Sequence, residues 1–181
     1  MRKFCLTIIV LAGFSKALFA QFGNCTASEM QTYTDRETGN TITILTDTLK
    51  NDRFLYQTDP MWTHDGKYLL FRSSSRANDK KIERTLPNGE KRSWTPTQIY
   101  FIEMATGQII QATEGPDLGS AFLANKSNRM FISRKEKEDW NMYVMDLDKF
   151  FADVKKGKVG KPTAYETLLG TFPTSMGRPG G

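Results

Sequence analysis

One ten-residue phrase occurs twice in this chain, and it restricts the possible folds more than any other feature. Trp62-Thr-His-Asp-Gly-Lys-Tyr-Leu-Leu-Phe71 returns as Phe122-Leu-Ala-Asn-Lys-Ser-Asn-Arg-Met-Phe131, each copy opening on an aromatic residue and closing on Phe. Each copy leads to a Tyr-headed apolar strand, Tyr100-Phe-Ile-Glu-Met and Tyr143-Val-Met-Asp-Leu, and the two tyrosines are 43 residues apart. A self-similar unit of roughly 40–50 residues cannot bury its apolar face alone and must stack on a neighbour of its own kind.

The units are built from strands. Between Thr41 and Met145 short runs rich in Ile, Thr, Tyr and Phe alternate with clusters of Gly, Asn, Asp and Pro, a pattern of antiparallel hairpins. Asp65-Gly66 is a tight-turn signal, because both residues tolerate the positive φ that matches strand twist; Asn125-Lys126 is its weaker counterpart. Ala105-Thr-Gly-Gln108 and Glu37-Thr-Gly-Asn40 mark a second kind of corner. The expected fold is all-β: a β-propeller of four-stranded antiparallel blades, about two to two and a half present of an expected seven. Blade-like units fall near 58–113 and 119–169, with the outer strand of a preceding blade near 41–46. The connection from Ser74 to Thr97 is an insertion, Asp148 to Lys156 reads as a short helix closed by Gly157, and Gly170 to Gly181 reads as a Gly- and Pro-rich tail.

The first twenty residues carry a different signal. Met1-Arg2-Lys3 is basic, Phe4 to Phe19 is apolar apart from Lys16, and Ala20 precedes Gln21, which predicts a secretory signal at residues 1–20 and an exported, periplasmic or secreted product. The apolar run is too short for a stable membrane span. Cys25 is then the one cysteine of the mature chain, so no intramolecular disulfide is available and the hydrophobic core must hold the fold. Setting Arg2, Lys3 and Lys16 aside leaves 22 basic side chains against 20 acidic ones. A net charge of about +2 gives no reason to expect a nucleic-acid partner.

The stretch Asp59-Pro-Met-Trp-Thr-His-Asp-Gly-Lys-Tyr-Leu-Leu-Phe-Arg-Ser73 resembles the repeat of TolB-like propellers. Ile99-Tyr100, Thr106-Gly107 and Gln111-Ala-Thr-Glu-Gly115 match the second half of that repeat. The longer phrase from Phe54 to Trp62, continuing through Phe71 to Arg76, is similar to the N-terminal blades of exported oligogalacturonate lyases. That resemblance implies a seven-bladed enzyme that cleaves short pectin fragments by β-elimination. It also implies a divalent metal, manganese, held by His and Gln side chains of later blades, with neither the metal ligands nor the catalytic base in this chain. Relatives often have His at the position of Asp59, a change that alters the charge facing the axial cavity.

In such a blade the loop entering the innermost strand and the loop joining the second and third strands open on one face. Tyr56, Gln57 and Asp59 are therefore expected on one rim with the insertion, and with Arg72 and Arg76, as a binding surface for an acidic oligosaccharide. From Arg72 to Arg92 the chain carries seven basic residues (Arg72, Arg76, Lys80, Lys81, Arg84, Lys91 and Arg92) against three acidic ones. Arginine holds a carboxylate bidentately, which suits a polyanionic sugar; a solvated loop has the same composition. Trp94, beside Pro96, packs the insertion onto the blade or stacks on a sugar ring.

His64, the single histidine, sits beside the Asp-Gly turn and is expected to be structural. Trp62, Phe71, Phe122 and Phe131 are expected to pack blade on blade. No catalytic or metal-binding set is present in the sequence. Two other readings keep the propeller and change the function: a TolB-like periplasmic scaffold that docks a protein partner, and the gating propeller of a serine peptidase.

Overall fold

The computed structural model describes residues 21–76, 81–86, 88–115 and 118–176; the expected signal at 1–20 lies outside them, as do Lys80 and residues 177–181. Alternation along the first repeat generates a sheet that is buried on both faces. In chain order the N-terminal half contains β1 (Cys25–Thr26), β2 (Gln31–Thr34), β3 (Thr41–Ile44), β4 (Asp52–Arg53) and β5 (Tyr68–Ser73). It continues with β6 (Ile82–Thr85), β7 (Lys91–Trp94), β8 (Gln98–Glu103) and β9 (Ile109–Gln111). The first sheet has the order β1-β9-β8-β5-β4, all antiparallel. Because side chains alternate between faces, Tyr68, Leu70, Ile99, Phe101 and Ile110 enter one apolar cluster. Phe71, Tyr100, Ile102 and Ile109 enter another on the opposite side.

The Asp-Gly turn forms as expected. Gly66 has φ +70°, its N–H reaches the Thr63 carbonyl at 2.9 Å, and the Thr63 hydroxyl donates to Asp65 at 2.7 Å. The insertion folds into a separate hairpin, β6 with β7, turned at Asn88-Gly89, where Gly89 has φ +83°.

The segment before the first sheet closes it. β1 adds a fifth strand along β9, and Met30 and Leu45 cover the Phe71–Tyr100 face. The strand expected near 41–46 exists as β3 (Thr41–Ile44) and pairs with β2 in a two-stranded sheet. Its sequence Thr-Ile-Thr-Ile is exposed through Thr43 and half-buried at Ile44, so it has too little buried apolar surface to be a core strand.

The second repeat forms β10 (Leu118–Leu123), β11 (Arg129–Glu136), β12 (Asp139–Asp146), helix α1 (Leu147–Lys155) and β13 (Glu166–Pro173). Its sheet order is β10-β11-β12-β13. Gly170 to Pro173, expected as tail, belongs to β13, paired with β12 through Met142↔Gly170 and Asp139↔Pro173. Arg134 reaches across to Glu166 with two hydrogen bonds of 3.1 and 2.9 Å. Burial works against the Arg134 charge, but Glu166 outweighs it and holds the guanidinium above its ordinary pKa.

Helix α1 locks the two sheets together. Asp146 caps it by accepting the Lys149 N–H at 3.0 Å, and Gly157, at φ +63°, lies just beyond its end, the residue types expected at those positions. Leu147, Phe150, Phe151 and Val154 lie on its buried stripe, where each fully buried side chain contributes about 1.5–3 kcal/mol. The Phe151 ring stacks on Tyr68 of the first sheet at 3.6 Å and meets Phe101 edge-on at 5.1 Å.

The side chains between the sheets are therefore Leu70, Phe101, Met130, Ile132 and Met145 with the helix aromatics. The set expected there is one position out of phase. Phe71 faces the N-terminal segment, Trp62 is 46 % exposed, and Phe122 stacks on Phe131 at 5.3 Å on the far side of the second sheet. A shift of one residue reverses the face.

The two copies of the repeated phrase also meet tip to tip. His64 Nδ1 lies 3.1 Å from the Asn125 carbonyl and the Asp65 N–H donates to Asn128 at 3.2 Å. That arrangement gives His64 the structural role expected of it.

Candidate binding cleft

Where the apolar core between the sheets ends, a cleft of about 580 Å³ opens, floored by Leu55, Ile99 and Ala121. One wall comes from the innermost part of the first sheet. β4 and β5 pair with Arg53 directly opposite Arg72 and Asp52 opposite Ser73, which puts the two arginines on one face and both at the cleft. Like charges directly opposite each other, with Cβ atoms about 5 Å apart, destabilise a sheet unless something neutralises them. Among the described residues no acidic side chain lines the cleft, and neither arginine is ion-paired.

Asn51 organises that wall. Its backbone N–H donates to Ser75 at 2.9 Å, its amide donates to Ser74 at 2.8 Å, and its amide oxygen accepts from Arg53 Nε at 3.3 Å. Trp94, Pro96 and Thr97, from the end of the insertion, form a second wall, and Trp140 with Leu118 and Gly119 of the second sheet forms a third.

The residues expected on the rim separate into three groups. Arg72 lies in the cleft. Tyr56, Gln57 and Asp59 form an outer turn, with the Asp59 N–H on the Tyr56 carbonyl at 2.8 Å, and do not line it. The residues of that strand brought against the insertion are instead Asn51, Arg53 and Leu55.

Arg76 has a different task. Its guanidinium donates to Asp52 at 2.9 and 2.6 Å and to Glu29 at 2.9 and 2.6 Å, with its side chain only 7 % exposed. Burial alone would lower its pKa, but these two carboxylates raise it, and the hydrogen bonds from Arg76 hold Glu29 below its ordinary value. Arg76 thereby fastens the N-terminal segment to β4, and the structure uses it as a clasp. Sequence reading overlooked Arg53 because a lone Arg in a Lys-Asn-Asp-Arg run has no motif; only pairing with Arg72 distinguishes it.

No family model and no curated protein sequence matches the chain. Solved structures similar to it include two oligogalacturonate lyases. One, an oligogalacturonate lyase in complex with manganese, is 22 % identical with a TM-score of 0.52 over 72 % of this chain and 30 % of its own. The other, the oligogalacturonate lyase of Vibrio parahaemolyticus, is 23 % identical with a TM-score of 0.51 over 71 % of this chain and 29 % of its own. The chain thus spans about 30 % of the length of these neighbours, and at this identity the likeness concerns the fold. The chain has the all-β, propeller-type fold of these lyases.

Proposed function

We propose that this chain supplies the N-terminal blades of an exported, TolB-like propeller related to oligogalacturonate lyases, and that its cleft holds the carboxylate of a pectin-derived acidic oligosaccharide. The observation that carries the reading is the Arg53–Arg72 pair, two cations opposed across antiparallel strands in a cleft that no acidic side chain lines among the described residues. Its charge is best balanced by an external anion, and guanidinium groups match carboxylate geometry. The fold likeness supports the sugar as the bearer of that anion.

One neighbour was solved with manganese. The described residues of this chain contain no group of three His, Cys, Asp or Glu side chains suited to a metal, and His64 is engaged at the hairpin tip. These residues do not fit a manganese site. In the proposed reading, metal and base for β-elimination are supplied outside these two sheets, and this chain binds and orients substrate.

Calorimetric titration with digalacturonate tests the proposal. Binding that weakens about tenfold in Arg72→Gln, the loss expected for one charge-assisted contact, supports it. Equal affinity for digalacturonate and a neutral disaccharide would remove the acidic-sugar reading.

A further inference from the structure

The cleft has a second property that its charge does not explain. Two of its walls are indole rings from opposite sides: Trp94, at the end of β7, is 37 % exposed, and Trp140 comes from β12 of the second sheet. Trp140 reaches the cleft because the strands it crosses carry small residues. Its opposite partner on β11 is Lys135, but the indole lies over Gly119 of β10, where an added Cβ would stand 2.7 Å from Cζ3 and would also collide with the Ser133 hydroxyl. The register of β10 shifts at this point, between Leu118 and Ala121, and the Ser120 N–H turns to the Ser133 hydroxyl at 2.7 Å. Gly119 and Ser133 thus form a trough that directs an indole at the cleft. Among the described residues, the strands of the hairpin that carries Trp94 pair only with each other.

We infer that the cleft is an aromatic-walled subsite selecting a pyranose ring that carries a carboxylate, with Arg53 and Arg72 gripping the carboxylate and Trp94 as the specificity-determining wall. The inference rests on the acidic-sugar reading of the cleft. A simple anion site needs only the arginines. A sugar ring also offers apolar C–H faces, and flat amphipathic indoles bury these while leaving hydroxyl groups solvated. Trp94 comes from the insertion, so the hairpin β6–β7 adds ring recognition to a cationic wall that the repeat itself provides.

The test titrates the chain and its Trp94→Phe, Trp94→Leu and Arg72→Gln variants with digalacturonate and with the dipeptide Glu-Glu, which carries carboxylates but no sugar ring. Urea midpoints establish that each variant is folded. Trp94→Leu, which keeps an apolar side chain, is expected to weaken digalacturonate binding about tenfold while Trp94→Phe weakens it less than about threefold, the difference that loss of an aromatic face makes. Glu-Glu binding is expected to be unchanged in both and lowered in Arg72→Gln. Should Trp94→Leu retain full digalacturonate affinity while Arg72→Gln loses it, the ring subsite is overturned and the acidic-sugar reading stands. Should the unaltered chain bind no digalacturonate, both are overturned.

Discussion

The two sheets arise from copies of one phrase, yet they are finished differently. Every described side chain of β5 except Arg72, and every one of β8 except Glu103, is buried, because helix α1 and the second sheet cover one face and the N-terminal segment covers the other. In the second sheet only one face is covered. β12 is half-buried over most of its length, and β13 exposes Leu168 and Leu169 at 52 % each. The repeat encodes a strand pattern, and neighbours decide how much stability that pattern returns. Arg72 and Arg53 lie where the well-covered sheet meets the edge of the second, which is where a cleft can remain open between rigid walls.

The comparison predicts unequal responses to equal substitutions. Phe101→Ala, which removes a ring that meets Phe151 in the shared core, should lower urea stability by about 3–5 kcal/mol. Phe131→Ala, which removes one half of an outer stacked pair, should cost about 1 kcal/mol. Equal losses would erase the distinction between the sheets.

Arg76→Met tests what closes the first sheet. Glu29 and Asp52 would keep their carboxylates without a cation, at a cost of about 3 kcal/mol, and amide exchange in β2 and β3 should rise more than in β11 and β12. If exchange rises equally in both, the clasp does not act on the N-terminal segment. Gly119→Ala probes packing within the second sheet, at the cleft wall, more gently. Its Cβ would displace Trp140, so a loss of about 2 kcal/mol should accompany a changed indole fluorescence, and an unchanged spectrum would contradict the trough.

The smallest effect is on acid stability. Glu29 titrates below its ordinary 4.5, chiefly through the hydrogen bonds from Arg76. For Asp65, partial burial alone would raise the pKa, but Lys67 and Thr63 hold it at about 2, against an ordinary 3.8. Both groups have folded values below their unfolded ones, so the stability they add is complete above about pH 4.5 and is lost as pH falls through the folded values. Arg76→Met should flatten the Glu29 part of that acid limb and leave the Asp65 part unchanged, as read from urea midpoints across pH.

Much of the architecture was legible in local chemistry. Asp65-Gly66 has to turn, alternating runs around Leu70 and Ile132 have to be strands, and Asp148 with Gly157 brackets a helix to within two residues of its observed cap, Asp146, because each depends on backbone preference within a few residues. The helix's part in the core was not legible, since Leu147 and Phe150 show their purpose only once Phe22, Tyr68 and Phe101 are in place around them. Arg72 was legible as a charge on a rim. Arg53 was not, because a cross-strand partner is defined by register, and the clasp made by Arg76 was not, because its carboxylate partners lie 47 and 24 residues away.

The sequence by itself determined that this chain is a β repeat with two unlike connections, since period, turn residues and side-chain alternation are local properties. Tertiary structure alone decided which face of each repeat became core, which arginine became a clasp and which two became a cationic cleft. Those outcomes depend on register and on contacts between residues far apart in the chain, where a shift of one position moves a side chain from core to solvent.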